Sequence, residues 1–282
     1  MATGKQDDSS PSLTAWQPPT GGAGKPFSLD KCPPDAKPFS RGNKARDKLA
    51  VDALALELDS LQDLFYADRR FKLLVVLQGT DTSGKDGTIR GVFGRTSALG
   101  VHVVGWKAPT ETERAHDYLW RIHQQVPGAG EIVVFNRSHY EDVLVVRVHD
   151  LVPKQVWRKR YDQIKAFEQM LVDEGTTIVK FFLHISREEQ KRRLEARVAE
   201  PDKRWKFNPG DLEERALWGD YMKAYEDVLN KTSTPDAPWH IVPADRKWYR
   251  NLVVAETLVE TLEGLHMAYP VPTWDPKTIK IV

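Results

Sequence analysis

The densest chemistry in the chain lies in Gly79-Thr-Asp-Thr-Ser-Gly-Lys-Asp86, which follows the apolar run Leu73-Leu-Val-Val-Leu77 and opens onto a helix-forming stretch. Glycines at this spacing, ahead of a lysine and between a strand and a helix, let backbone N–H groups wrap a phosphate at the helix N-terminus. Gly79, Thr82, Ser83 and Gly84 are therefore expected against the phosphate, with Lys85 as a point charge on a transferring phosphoryl group. Asp86 stands where Ser or Thr is usual, so a carboxylate replaces the hydroxyl that ordinarily helps to hold Mg²⁺. Asp81, inside the loop, is the better candidate for the metal, because its carboxylate can approach an ion bridging two phosphates. Without a cation, an acid in that position would repel the ligand.

A second polar cluster, Phe135-Asn-Arg-Ser-His-Tyr-Glu-Asp142, ends another apolar run, Ile132-Val-Val-Phe135. An ordinary second phosphate motif would end such a strand in Asp; here the place is taken by Asn136. Arg137 is suited to clamp phosphate oxygens, and Glu141 and Asp142 supply carboxylates that could hold metal or set the acceptor. His139 reads equally as a packing residue. A third segment is basic: residues 187–206 carry eight Lys and Arg against five Asp and Glu, with Arg193 and Arg197 among them. Such a segment could close over phosphates and exclude water, although its glutamates could also make it a salt-bridged helix face.

Strands and helices must position these groups, and the sequence alternates them. Leu73–Leu77, Val101–Val104, Ile132–Phe135, Ile178–Ile185 and Trp239–Val242 read as strands, mostly continuous apolar runs suited to a parallel sheet covered on both faces. Helical spacing predicts helices over 45–64, 86–98, 112–124, 154–173, 187–199, 211–230 and 247–265. Leu49, Leu54, Leu56, Leu58, Leu61 and Leu64 form the apolar set of the first, and Ser186-Arg-Glu-Glu189 has the form of a capping box. Regular alternation implies right-handed βαβ units and one doubly wound α/β domain over 44–282. Residues 1–43, rich in Pro and Gly, read as an arm without hydrophobic period, and the lid is expected around 187–212.

The chain has 282 residues with 41 Lys and Arg against 40 Asp and Glu, a net charge of +1, so any polyanion must be held by a local basic site. Nucleic acid is not an expected partner. The single cysteine, Cys32, excludes an intramolecular disulfide and a Cys-based metal cluster. No apolar run is long enough to span a bilayer and the N-terminus has no signal-peptide pattern, so no membrane partner is expected and a cytoplasmic location is.

Between Leu49 and Leu265 the chain resembles the polyphosphate kinase 2 family, through Gln78–Gly87, Asn136–Leu144, Trp205-Lys-Phe207 and Pro238-Trp-His-Ile-Val-Pro-Ala-Asp245. Other subclasses of that family usually show F-D-R-S-W-Y-N-R in the second motif. Asn136, His139 and Glu141 make this chain similar to the third subclass, whose members phosphorylate both AMP and ADP. The resemblance implies a P-loop kinase-like three-layer sandwich with a mostly parallel five-stranded sheet, a helical lid, and assembly as dimers or tetramers. It implies reversible phosphoryl transfer between inorganic polyphosphate and AMP, ADP or ATP, guanine nucleotides being further candidates, with Mg²⁺ or Mn²⁺ as cofactor. Asp81 and Lys85 would then hold the transferred phosphates and metal, and Arg137 would contact phosphate. Glu141 would orient the acceptor, and Arg193 or Arg197 would reach the polyphosphate from the lid.

Two rival readings keep the same loop. An ATP-dependent kinase of thymidylate-kinase type shares the sheet and an Arg-rich lid but takes ATP as donor; Asp86 and Trp205-Lys-Phe207 lean against it. A non-enzymatic polyanion binder would be weakened by Asp81, Glu141 and Asp142 unless a metal intervened.

Overall fold

The computed structural model describes residues 27–281. In chain order the elements are α1 (Lys44–Asp68), β1 (Lys72–Gln78), α2 (Lys85–Val92), β2 (Val101–Gly105), α3 (Glu111–Arg114), α4 (Trp120–His123) and β3 (Ile132–Asn136). They continue with α5 (Val145–Val148), α6 (Lys154–Asp173), β4 (Thr176–His184), α7 (Arg187–Ala199), α8 (Gly210–Ala216), α9 (Trp218–Thr232), β5 (Trp239–Pro243) and α10 (Lys247–Glu263).

The five strands form one sheet in the order β2-β3-β1-β4-β5, and every pairing is parallel rather than only most of them. Side chains of β1 alternate between two cores, as the strand period of two requires. Leu73, Val75 and Leu77 pack with Leu58 of α1 and Leu252 and Leu258 of α10. Leu74 and Val76 pack with Ile164 and Phe167 of α6 and Leu229 of α9 on the other face. Helices, sheet and helices thus make three layers. The exception is β2, an edge strand whose Val103 is half exposed despite the apolar sequence.

Strand β1 is where the order reverses: β3 lies on one side of it and β4 on the other, with Leu77 opposite both Asn136 and Phe181. Open α/β sheets bind ligands in the crevice at the carboxyl edge of such a switch point. The loop after β1, the turn after β3 and the entry to α7 after β4 all emerge there.

Several local expectations give way to the structure. In α1 the buried stripe is Val51, Leu54, Ala55, Leu58 and Phe65, whereas Leu49 and Leu56 face outward. The helix expected over 112–124 is two single turns, because Asp117 turns its carboxylate onto the Leu119 N–H and stops the first from continuing. The helix expected over 211–230 breaks at Leu217 into α8 and α9. Within the described residues of the N-terminal arm, Phe27 and Leu29 donate backbone N–H groups to Asn230 and Glu226 of α9, and Leu29 and Cys32 enter the core. The remainder of the arm, 1–26, lies outside the described residues.

Candidate active site

The loop after β1 is shaped by two glycines in the left-handed half of backbone space. At Gly79 (φ 153°) a Cβ would sit 2.7 Å from Ser83 Oγ and 2.8 Å from the Leu183 carbonyl; at Gly84 (φ 106°) it would fall 1.7 Å from the Arg250 guanidinium. Thr82 also has positive φ (63°), a cost of about 1–3 kcal/mol that the surrounding packing must sustain. Gly84 caps α2 without any side-chain hydrogen bond, so the first N–H groups of the helix remain available to an anion. The hydroxyls of Thr80 and Thr82 are buried with no partner among the described residues, an arrangement suited to phosphate oxygens.

Lys85 curls back over this loop and donates to the carbonyls of Gly79 (2.7 Å) and Thr80 (3.2 Å). Burial, and after it the charge of Arg137, brings its ammonium down to about 8. Arg137, in the left-handed region at φ 65°, donates from Nη2 to Asp81 at 2.6 Å and from Nη1 to Glu141 at 3.4 Å. One guanidinium therefore ties the loop after β1 to the turn after β3.

The two departures from the ordinary phosphate motifs meet each other. Asn136 Nδ2 donates to Asp86 Oδ1 at 2.8 Å, so the acid after the lysine is held by an amide where strand-end carboxylate and helix hydroxyl would ordinarily stand. Asp142 is held by Arg160 at 3.0 Å, and burial raises its carboxyl to about 6 even so. His139 is in the core: its Nε2 lies 3.2 Å from Glu168, which also accepts from Lys180 (2.6 Å) and the Tyr140 hydroxyl (2.8 Å). This buried network fixes the turn that presents Arg137 and Glu141.

The expected lid comprises α7, a 3₁₀ turn over Pro201–Lys206, and α8. Arg193 stands on α7 but directs its donors downward, to the carbonyls of Thr82 (2.8 Å), Ser83 (3.0 Å) and Ala244 (2.7 Å), bracing the phosphate loop from behind. Arg197 reaches the Lys206 carbonyl and Asp211. Only half of the anticipated capping box forms: Ser186 Oγ accepts the Glu189 N–H, while the Glu189 carboxylate turns to Arg192 and Arg193.

Two cavities open on either side of Asp81 and Arg137. The first, about 490 Å³, is walled by Trp106, Trp218, Tyr221 and Tyr225, with Arg121, Glu141 and Asp142 at its polar end. The second, about 610 Å³, is a trough in which ten Lys and Arg side chains face four acids; Lys85, Arg193, Arg197, Lys206, Lys247 and Arg250 are among them. Asp81, Arg137, Trp106 and Lys107 line both. An aromatic pocket suits a base or other flat ring, and a cationic trough suits an extended polyanion.

The sequence reading missed Trp106, Lys107, Arg121, Trp218, Tyr221, Tyr225, Lys247 and Arg250. Trp106-Lys107 could have been found, since they follow the carboxyl end of β2 directly. Arg250 left a fainter signal, a cation inside the apolar stripe of α10, where burial and then Arg193 lower its guanidinium to about 9.

The family model described as Polyphosphate kinase 2 matches residues 41–269. An AMP/ADP-polyphosphate phosphotransferase of Meiothermus ruber is 56% identical over 246 residues, 87% of this chain and 92% of that one. An ADP-polyphosphate phosphotransferase of Rhodopseudomonas palustris is 44% identical over 89% of this chain and 91% of that one. Among solved structures, polyphosphate kinase 2 from Arthrobacter aurescens TC1 superposes with a TM-score of 0.90 at 43% identity, covering 95% of each chain.

Proposed function

The chain belongs to the polyphosphate kinase 2 family, and from that premise we propose how its site divides the work. It is a phosphotransferase that moves phosphoryl groups between inorganic polyphosphate and the nucleotides AMP and ADP. The observation that carries the division is that Asp81 and Arg137 line both cavities. The nucleotide base lies among Trp106, Trp218 and Tyr221, its phosphates directed at Arg137, and Glu141 orients the acceptor. The inorganic chain lies in the trough, its reacting end held by the loop N–H groups and Lys85.

In this arrangement a nucleotide phosphate oxygen approaches the terminal phosphoryl from the side opposite the polyphosphate leaving group. Phosphoryl transfer asks little covalent chemistry of a protein; positioning and neutralisation of charge on the equatorial oxygens dominate. Lys85 and Arg137 supply that neutralisation from two sides. The Asn136 amide fixes the Asp86 carboxylate in place, and its charge is offset by the nearby Lys85 ammonium. With α7 already braced on the loop by Arg193, closure of the turn that follows it would exclude water that competes as acceptor.

A divalent ion fits the donor set. No group of three or more His, Cys, Asp or Glu that could cage a metal occurs among the described residues. Mg²⁺, however, characteristically takes one or two carboxylates and completes its shell with phosphate oxygens and water. Asp81 would hold it, and Mn²⁺ suits the same oxygen donors. When bound, the ion would offset negative charge on the phosphate oxygens.

We extend the proposal to assembly as a dimer or tetramer, to be read from the mass in solution, and to residence in the cytoplasm. Among the described residues no helix is long and apolar enough to cross a membrane. The activity test supplies polyphosphate as the sole donor with AMP or ADP and follows ADP and ATP formation. Product with neither acceptor would favour an ATP-dependent nucleotide kinase.

A further inference from the structure

Next to the trough a third cavity of about 690 Å³ opens where the first turn of α1 meets the first turn of α10. Lys44 and Lys48, one helical turn apart, face it from α1, and Arg246 and Lys247, the cap and first residue of α10, face it from the other side. The wall between this cavity and the trough is shared: Glu189, Arg192 and Lys247 line both. The basic surface is therefore continuous from the phosphate loop to α1.

The acids in this cavity are Asp52, Glu189 and Asp245. Asp245 is engaged by the Ser186 N–H at 2.8 Å and hydroxyl at 2.9 Å, and Glu189 by Arg192 and Arg193. Lys44, Lys48, Arg246 and Lys247 make no ion pair among the described residues. Lys247 also stands in a positive field: burial first, then Arg193, Lys203 and Arg250, press its ammonium below its ordinary value. A bound polyanion would relieve that repulsion.

We propose that this cavity is a distal subsite for inorganic polyphosphate, which leaves the trough over Arg192 and Lys247 and lies against Lys44, Lys48 and Arg246. The proposal rests on the trough being the polyphosphate site. Contacts this far from the reacting phosphoryl are the same before and during transfer, so they lower KM for long chains without raising kcat. Chains too short to reach past Lys247 gain nothing.

The test compares the triple variant Lys44→Ala, Lys48→Ala, Arg246→Ala with the parent enzyme, using long-chain polyphosphate and linear hexaphosphate as donors. A control removes the same charge from exposed α6 positions, Lys154→Ala, Arg158→Ala, Lys159→Ala. We expect KM for the long chain to rise about tenfold, and its dependence on log salt to become shallower by about two, at roughly 0.7 per lost contact for a single-stranded polyanion. Values of kcat, KM for hexaphosphate and the melting temperature should stay as in the parent. An equal rise for both donors, or an equal rise in the α6 control, overturns the distal subsite and leaves the trough assignment standing. No transfer from either donor by the parent enzyme removes both.

Discussion

Asp81 accepts a hydrogen bond from Arg137 at 2.6 Å across the line where the aromatic pocket meets the basic trough. The pair is about a third exposed on the arginine side, so it adds little to stability, about 1 kcal/mol or less. Its proposed importance is in the reaction. Arg137→Ala would leave Asp81 and Glu141 facing phosphates with their shared cation gone, and kcat/KM should fall about 10²- to 10³-fold. Arg137→Lys should restore only part of this, because an ammonium cannot reach both carboxylates as the fork does. Initial rates of Arg137→Ala, Asp81→Asn and the double variant give the coupling directly. If the single losses simply add, the two residues do not act as one unit.

The proposed role of Lys85 should give the enzyme an alkaline limb. Burial and Arg137 place its ammonium near 8 in the free enzyme, and in the proposed arrangement the charged form is the one that would meet phosphate. As pH rises through that value the cation is lost, so kcat/KM for polyphosphate should decline, approaching tenfold per pH unit. Bound phosphates favour the ammonium and shift its titration upward, so kcat should hold to higher pH than kcat/KM. Profiles of both parameters from neutral pH upward separate the two; a kcat/KM that stays level across that range would remove Lys85 from this role.

The fold was legible because parallel strands buried on both faces appear as apolar runs, and the phosphate loop because its spacing is local. Trp218, Tyr221 and Tyr225 illustrate the opposite case. Their three- and four-residue spacing is that of any helix face packed on a core, and only the break at Leu217 and the position of α9 turn part of that face toward a cavity. Arg193 was placed on the right helix, but sequence carries no information about which carbonyls its donors meet. The pairing of Asn136 with Asp86 was hidden for the same reason: each looked like a separate departure from a motif, and only the adjacency of β3 to β1 joins them.

Gly84 and Gly175 separate backbone strain from steric fit. Both have positive φ, 106° and 84°, but a Cβ at Gly175 meets nothing within 4 Å, whereas at Gly84 it collides with the buried Arg250. Gly175→Ala should therefore cost about 1 kcal/mol, from backbone conformation alone. Gly84→Ala should cost about 3 kcal/mol or more and lower the melting temperature by roughly 6–12 °C, at about 2–4 °C per kcal/mol for a chain of this size. Thermal melts of the two variants decide it, and equal shifts would mean that Arg250 moves aside freely.

The Lys180–Glu168 pair is buried beneath the second motif, and its role is to hold the turn that carries Glu141. Lys180 donates to Glu168 at 2.6 Å, to the Tyr140 hydroxyl at 3.0 Å and to the Thr232 carbonyl at 2.8 Å, with His139 against the same carboxylate. Removing one charge strands the other in the core, so Glu168→Gln should destabilise the protein by about 3–5 kcal/mol. Replacing both at once, Glu168→Leu with Lys180→Met, removes the stranded charge and should recover much of that loss. The turn would still lack its anchor, because Tyr140 and His139 lose their common acceptor. The double variant should therefore melt above Glu168→Gln yet show a KM for AMP and ADP raised about tenfold, with KM for polyphosphate unchanged. Kinetics of the double variant with each substrate varied in turn make the distinction: an acceptor KM that returns to the parent value along with stability would reduce the pair to packing alone.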